Sequence, residues 1–148
     1  MTEQKISAAD AGLIDKLLLN GGDRFGTALA NAGDIDRDGV TDLVVGAPFD
    51  DDGATDTGAL WLLFMKLDGT VNQLLKISRS EGLLGALLDS GDGFGSAVAG
   101  IGNLDRVRAL DLAVGAPFDQ TLGIEKGAVW ILFMEETRTT TECEQNPL

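Results

Sequence analysis

The sequence repeats itself with a constant offset, and this internal repeat limits the folds that the chain can adopt. Gly-Asp-Arg-Phe-Gly at 22–26 returns as Gly-Asp-Gly-Phe-Gly at 91–95, so Phe25 and Phe94 are 69 residues apart (94 − 25). Gly-Ala-Pro-Phe-Asp at 46–50 and Gly-Ala-Leu-Trp at 58–61 return at the same offset, with Val in place of Leu in the last motif. Three separate motifs with one offset indicate two copies of a single structural unit.

Each unit is predicted to contain short antiparallel strands. In the first unit these are residues 27–32, 43–47, 59–64 and 71–78. The third of them is apolar on both faces, which is typical of a strand in a sheet covered on both sides. Asp68-Gly69 is a strong hairpin signal between the last two strands. Four antiparallel strands in a sheet with both faces covered are typical of a β-propeller blade, so the predicted fold is all-β.

The ends of the chain predict how the blades are shared. The first blade takes residues 22–78, the second takes residues 91–134, and residues 135–148 form a polar C-terminal tail. Lys-Ile-Ser at 5–7 repeats the Lys-Ile-Ser at 76–78 that belongs to the fourth strand of the first unit, whereas the second unit shows no such strand. We therefore expect an N-terminal strand at residues 2–7 to complete a last blade, that of a neighbouring subunit. In the alternative, residues 137–141 supply the missing strand and the N-terminus is loose.

Two blades cannot form a closed propeller, because such rings contain about 4–8 blades. Each chain would leave an apolar sheet face and an open strand edge exposed, and both features favour association. We expect the chain to assemble head to tail with copies of itself until the rotation closes. Three copies give a six-bladed ring and four give an eight-bladed ring, with the trimer favoured. Alternatively, the chain is a fragment or an engineered piece of a larger propeller protein.

A run of alternating aspartates precedes the second predicted strand. The stretch 33–48 places carboxylates at every other position, then a glycine, and then one more carboxylate before the apolar run. Alternating carboxylates before a glycine suit Ca²⁺, which prefers oxygen ligands. The loop is not an EF-hand, since the twelfth residue from Asp34 is Val45, where an EF-hand needs a bidentate Glu. The alternative is an acidic, solvated turn that holds no metal.

These motifs resemble the FG-GAP repeat family, which forms the blades of the integrin α-chain propeller. The resemblance rests on Phe25-Gly26 with Gly46-Ala47-Pro48, and on the second copies of these motifs. It implies a Ca²⁺ site on the hairpin between the first two strands of the blade. The implied ligands are the side chains of Asp34, Asp36, Asp38 and Asp42 and the main-chain carbonyl of Val40. It also implies an extracellular or cell-surface location and a role in adhesion or ligand recognition, with a protein or glycan as the unknown ligand.

The second copy of the loop has lost part of this pattern. Asn103, Asp105 and Asp111 remain as oxygen ligands, but Val107 replaces the third aspartate and Arg108 replaces the turn glycine. Valine offers no side-chain ligand, and arginine brings a positive charge into the loop. We therefore predict a weak or vestigial metal site there.

Composition limits the partners and the chemistry. The net charge is −13, from 24 acidic and 11 basic residues, which argues against nucleic acid or an anionic membrane as a partner. No apolar run approaches the ~20 residues of a membrane helix, and residues 1–10 lack a signal-peptide pattern. The chain has no histidine and no tyrosine. We therefore predict a non-enzymatic protein with no catalytic residues; the competing hypothesis is a carboxylate-based, glycan-acting enzyme.

Two further features have alternative interpretations. Acidic residues also cluster after the second strand, where they predict a solvated loop or, less simply, a second cation site or ligand-binding rim. They are Asp50, Asp51, Asp52 and Asp56, with Asp119 and Glu125 in the second copy. Trp61 and Trp130 lie on the doubly apolar strands, which favours a place in the core between blades over a sugar-stacking platform.

Overall fold

The computed structural model describes residues 3–7, 19–82, 84, 87–107, 109–120, 123–124 and 126–135. In these residues the regular secondary structure is β, which confirms the all-β prediction. The strands are β1 (Ala28–Gly33), β2 (Asp42–Ala47), β3 (Ala59–Met65), β4 (Val71–Ile77), β5 (Ala97–Gly100), β6 (Leu112–Ala116) and β7 (Ala128–Leu132). None of the described segments is a helix long and apolar enough to span a bilayer.

Strands β1 to β4 form the first sheet, here called blade one, in the order β1-β2-β3-β4 with every pair antiparallel. Each predicted strand is present, and no predicted boundary differs from the observed one by more than one residue. The predicted Asp68-Gly69 hairpin is also present, with Gly69 at φ +80 and its N–H donating to the carbonyl of Lys66. Local turn and strand signals therefore specify this sheet.

Strands β5 to β7 form the second sheet, here called blade two, in the order β5-β6-β7. Its register repeats that of blade one, since Val114 lies opposite Trp130 as Val45 lies opposite Trp61. Within the described residues, which end at 135, this sheet has no fourth strand, and β7 is the last strand of the order. Residues 137–141, the alternative source of that strand, fall outside the described part of the chain.

The N-terminal residues 3–7 form no strand within this chain, and their predicted pairing with a neighbouring subunit stays a prediction. Their position is nevertheless informative. Ile6 packs against the cluster that contains Trp61, on one face of blade one. Its counterpart in the Lys-Ile-Ser repeat, Ile77 of β4, packs against the cluster that contains Trp130 of blade two. Ile6 therefore packs on the Trp61 side of blade one. In the same way Ile77, from the last strand of blade one, packs on the Trp130 side of blade two.

Alternate residues divide each blade into two faces, as expected for strands. We call front face the side with Leu60, Leu62 and Phe64 in blade one and with Val129, Ile131 and Phe133 in blade two. We call back face the side with Trp61, Leu63 and Met65 in blade one and with Trp130, Leu132 and Met134 in blade two. The front face of blade one packs on the back face of blade two and forms the main core of the molecule.

Both tryptophans are core residues, as predicted. Trp61 is buried on the back face of blade one. Trp130 packs between the blades, where its ring meets Phe94 edge-on with centroids 6.3 Å apart. A buried indole contributes packing area rather than an open stacking surface. The packing of both rings therefore favours a place in the core over a sugar-stacking platform.

The glycines of the repeated motifs allow the backbones of the two blades to touch. The turn at Phe94-Gly95 of blade two lies on a surface of blade one formed by Gly46, Gly58 and Ala59, here called the socket. The Phe94 N–H donates to the carbonyl of Thr57 at 3.0 Å. A β-carbon on Gly46 would overlap the carbonyl oxygen of Gly95, and one on Gly58 would lie 2.6 Å from the Phe94 nitrogen. Close backbone approach of this kind requires glycine.

Candidate metal centre

The loop between β1 and β2 is held in shape by its own aspartates. The Gly39 N–H donates to Asp34 Oδ2 at 3.0 Å, and the Val40 N–H donates to Asp38 Oδ1 at 2.8 Å. The Asp38 N–H donates in turn to Asp36 Oδ1 at 3.2 Å. Asp side chains commonly accept bonds from backbone N–H groups two residues on, which favours tight turns. The loop therefore brings several carboxylates together within one short turn.

Asp42, the first residue of β2, joins this loop to the rest of the sheet. Its side chain is fully buried. The Ile35 N–H donates to Asp42 Oδ2 at 2.9 Å, and the Met65 N–H, at the end of β3, donates to Asp42 Oδ1 at 3.0 Å. Both oxygens of one carboxylate thus satisfy buried backbone donors from two different segments, which is a strong arrangement for an ionised acceptor.

Three of the predicted ligands come together. Carboxylate oxygens of Asp34, Asp36 and Asp42 lie within 4.8 Å of one another. Ca²⁺ binds oxygen at about 2.3–2.6 Å, so ligands on opposite sides of one ion are about 5 Å apart. Asp38 lies outside this group and its Oδ1 accepts the bond from Val40. Three of the predicted ligands therefore lie close enough together to contact a single hard cation.

The electrostatics of the loop favour a cation. Burial, and then the neighbouring charges of Asp42, Asp38 and Asp34, raise the pKa of Asp36, although a backbone hydrogen bond from Asp38 opposes the change. A raised carboxyl pKa means that the ionised form is penalised at this position. A bound divalent ion would remove that penalty by supplying the missing opposite charge.

The second loop keeps the framework but loses ligands. Asp111 is buried like Asp42, and it accepts N–H bonds from Leu104 at 2.6 Å and from Met134 at 3.1 Å. Asp105 Oδ1 accepts the Val107 N–H at 2.8 Å, while Asn103 is exposed. The same fold therefore persists around a smaller set of oxygen ligands, and the prediction of a weak or vestigial site stays a prediction.

The acidic loop after β2 is not simply solvated, contrary to the sequence-based expectation for Asp50. Asp50 is buried, and its Oδ2 lies 2.9 Å from Nζ of the buried Lys76 in β4. The same ammonium lies 3.2 Å from Asp52 Oδ2 and 5.1 Å from the ring centroid of Trp61. The ammonium group of Lys76 therefore supplies a positive charge to this loop, and this weakens the argument for a second metal ion there.

Hydrogen bonds also bind Asp52 to the end of β4. It accepts from the hydroxyls of Ser78, at 2.7 Å, and Ser80. Burial by itself would raise the pKa of Asp52, but the two serine bonds and Lys76 together bring it below its ordinary value. Because Lys76 is 26 residues (76 − 50) from Asp50 along the chain, the charge pattern of the loop alone did not indicate this ion pair. The repeated Lys-Ile-Ser motif was the feature of the sequence that could have singled out Lys76.

The aspartate of the repeated Gly-Asp-x-Phe-Gly motif was also missed as a structural residue. Asp23 and Asp92 are both buried. Each accepts the backbone N–H three residues before it, from Asn20 at 2.6 Å and from Asp89 at 2.7 Å. Burial raises the pKa of both carboxyls despite these bonds. The signal was present in the sequence, since both copies of the motif carry Asp at this position.

Replacing Asp92 with asparagine is expected to change the pH dependence of stability. The raised pKa of Asp92 means that its contribution to stability is present below the ordinary aspartate pKa and is lost as pH rises through the folded-state value. An asparagine side chain does not ionise and has no such loss, so Asp92→Asn should gain stability relative to wild type as pH rises from about 3.5 to 7.5. Urea unfolding at saturating calcium, across this range, measures the difference.

The control for that experiment is Asp68→Asn, on the exposed β3–β4 hairpin. Hydrogen bonds from the Thr70 hydroxyl and N–H lower the pKa of Asp68, so its contribution is present at neutral pH and is lost on acidification through the folded-state value. Any change in the control should therefore have the opposite sign, a loss of stability relative to wild type as pH rises from the acid end of the range. If the free energy of unfolding changed equally with pH in wild type and in Asp92→Asn, the inference that burial penalises the ionised form of Asp92 would be wrong.

Comparison with known proteins agrees with this geometry. The FG-GAP repeat family model matches residues 25–63, which include β1 and β2, the aspartate loop and most of β3. Human integrin alpha-X is 31% identical over 129 residues, covering 82% of this chain and 10% of the relative. Drosophila melanogaster integrin alpha-PS5 is 36% identical over 109 residues, covering 70% of this chain and 10% of the relative.

The repeat also occurs in an enzyme. Phosphatidylinositol-glycan-specific phospholipase D of Bos taurus is 39% identical over 117 residues, covering 74% of this chain and 13% of the relative. The chain thus spans about a tenth of the length of the curated relatives that it matches. With their Phe-Gly turn, their Gly-Ala-Pro strand end and the antiparallel strands that they build, residues 25–63 of this chain belong to the FG-GAP repeat family.

Proposed function

We propose that this protein is a calcium-binding, non-enzymatic propeller module that serves as a binding or adhesion scaffold at the cell surface, in a ring completed by self-assembly. The observation that carries the calcium proposal is the convergence of three carboxylates, from Asp34, Asp36 and Asp42, around a space that fits one Ca²⁺. The scaffold role and the location are supported by similarity to integrin alpha chains.

Calcium has a structural role in this proposal. The aspartate loop connects β1, which lies next to blade two, to β2 in the middle of blade one. Without a cation, burial and then the repulsion between neighbouring carboxylates penalise the ionised form of Asp36, and its pKa is raised accordingly. A bound ion would stabilise the loop conformation and hence the hairpin that it closes. The loop would then act through rigidity, not through chemistry on a substrate.

The non-enzymatic assignment is supported by what the buried carboxylates already do. Asp42 and Asp111 hold backbone N–H groups, and Asp50 holds Lys76. These aspartates are committed to the fold, whereas acid–base catalysis by a carboxylate pair needs two groups that face a substrate. The repeat in the phospholipase D relative covers 13% of that protein, so similarity over this repeat carries no assignment of its activity to this chain.

Calcium is expected to raise the melting temperature by about 5–10 °C at a concentration about 100 times the dissociation constant. This follows from a stabilisation of about 2.7 kcal/mol at that excess and from about 2–4 °C per kcal/mol for a chain of this size. Differential scanning fluorimetry with calcium and with a chelator measures the shift. Asp36→Asn should abolish it, because Asp36 is a cluster member that does not anchor β3.

The matched control is Asp105→Asn, which makes the same change in the second loop and should leave the calcium shift intact. A melting temperature that does not respond to calcium in the wild type would refute the calcium part of the proposal. An equal shift in wild type and Asp36→Asn would place the ion elsewhere in the protein.

A further inference from the structure

The front face of blade two is an exposed apolar surface in the described part of the chain. Its side chains Val129, Ile131 and Phe133 are 71%, 42% and 58% exposed. The equivalent side chains of blade one, Leu60, Leu62 and Phe64, are 0%, 1% and 5% exposed, because the back face of blade two covers them. Because the two blades are repeats, the surface that fits the front face of blade two is a back face like the one that covers blade one.

The socket of blade two is also present and open. A groove of about 510 Å³ is lined by Gly115, Pro117, Gly127, Ala128 and Val129, among others. Gly115, Gly127 and Ala128 are the counterparts of Gly46, Gly58 and Ala59, which receive the Phe94-Gly95 turn within the chain. The groove therefore has the position and the backbone glycines needed for one more Phe-Gly turn.

Blade one carries the matching parts. Phe25-Gly26 is its own Phe-Gly turn, and Phe25 packs against the back-face cluster of blade one. Leu29 on β1 is 64% exposed, whereas its counterpart in blade two, Val98, is partly buried against the core between the blades. The back face of blade one therefore has an exposed apolar position where blade two has an inter-blade contact.

We propose that a second copy of this chain docks head to tail on blade two, with its Phe25-Gly26 turn in the Gly115–Gly127 socket and its Lys5–Ser7 segment along β7. The inference deepens the self-assembly part of the proposed function and rests on it, but not on calcium. Within each chain, Ile6 already lies on the back face of blade one, as Ile77 of β4 lies on that of blade two. Docking therefore carries residues 5–7 to the free side of β7, where the described residues of blade two supply no fourth strand.

The correspondence between residues 5–7 and residues 76–78 also pairs two charged side chains across the proposed interface. Lys76 of β4 forms its ion pair with Asp50 of its own blade. The counterpart of Lys76 in the N-terminal segment is the exposed Lys5, and the counterpart of Asp50 in blade two is the buried Asp119. In the docked pair, Lys5 of one copy reaches Asp119 of the next. An interface of this kind is heterologous, so repeated docking closes into a ring when the rotation allows.

Gly115→Ala separates docking from folding. Within the chain, a β-carbon on Gly115 would meet only ordinary contacts, of which the nearest is Ala97 Cβ at 3.4 Å. In the docked pair it would overlap the incoming turn, as a β-carbon on Gly46 overlaps Gly95. We therefore expect light scattering after size exclusion, with calcium present, to give a wild-type mass three or four times 15.5 kDa. Gly115→Ala should give a single chain with an unchanged circular dichroism spectrum.

Mixing two blocked variants tests the head-to-tail geometry. Leu29→Asp blocks the docking side of blade one, and Gly115→Ala blocks the socket of blade two, so each should be monomeric alone. A mixture retains one intact interface and should form a dimer of twice 15.5 kDa. Leu67→Asp is the control, because it makes the same change at a leucine that is 92% exposed on the β3–β4 hairpin. It should keep the wild-type mass.

The charge pair has its own variants. Lys5→Asp should weaken assembly, and the same substitution combined with Asp119→Lys should restore it. A monomeric wild type, or Gly115→Ala with the wild-type mass, would overturn the proposal even if calcium still stabilises the protein. An assembled wild type without any calcium response would instead refute the calcium proposal and leave this one standing.

Discussion

Gly46→Ala is expected to lower the free energy of unfolding by about 3 kcal/mol or more, as overpacking against a rigid partner does. The added methyl group would overlap the carbonyl oxygen of Gly95 and would lie 3.0 Å from its carbonyl carbon. Both are backbone atoms of the neighbouring blade, so no side chain can rotate away. The blades would have to separate at the point where Phe94 enters the core. Urea unfolding followed by tryptophan fluorescence reports this, because Trp130 packs against Phe94.

The matched control for Gly46→Ala is Gly115→Ala, which makes the same change at the equivalent position of blade two. Both variants are best measured in the Leu29→Asp background, in which docking of a second copy is expected to be blocked. Because the nearest atom to the new methyl group is Ala97 Cβ at 3.4 Å, Gly115→Ala should change stability by no more than about 0.5 kcal/mol. Equal effects at both positions would contradict the close approach of the two blades.

The sequence predicted those parts of the structure that local patterns specify. The strands of blade one, the Asp68-Gly69 hairpin and the core positions of the two tryptophans were all present where the alternation of apolar residues and the turn residues placed them. Such signals arise from contacts between residues close in the chain, and the exact offset of the repeat transferred them to blade two. Asp34, Asp36 and Asp42 also came together as predicted, since the loop that holds them is short.

Contacts between distant residues could not be predicted in the same way. The aspartates after β2 suggested a solvated loop, but Asp50 is buried because β4 brings Lys76 beside it. The burial of Asp23 and Asp92 depends likewise on packing that the motif does not encode by itself. A pattern gives the type of residue, whereas its partner depends on the tertiary fold.

The two copies of the aspartate loop show that the framework and the metal ligands are separable. Asp42 and Asp111 accept equivalent backbone bonds from the loop and from the third strand of each blade. The carboxylate cluster, in the described residues, is found only in the first copy. The anchoring aspartate therefore has a role in folding that does not depend on calcium, and mutation can isolate it.

Asp42→Ala is expected to lower the free energy of unfolding by about 2–5 kcal/mol even in the presence of a chelator. The substitution leaves the N–H groups of Ile35 and Met65 buried without an acceptor, and each such group costs about 1–3 kcal/mol. Chemical unfolding in chelator measures this cost without any contribution from a bound ion. Asp111→Ala should have a similar cost, because it removes the same pair of acceptors from blade two.

In chelator, Asp36→Asn is expected to behave differently from Asp42→Ala. Burial and the neighbouring carboxylates raise the pKa of Asp36, so removing its charge should not destabilise the calcium-free protein. In calcium, Asp36→Asn should become less stable than wild type because it loses a ligand, whereas Asp42→Ala should stay the least stable because it also loses its backbone anchors. If the two variants were equally stable in chelator, the anchoring role of Asp42 would be refuted, and its burial would have to serve the metal alone.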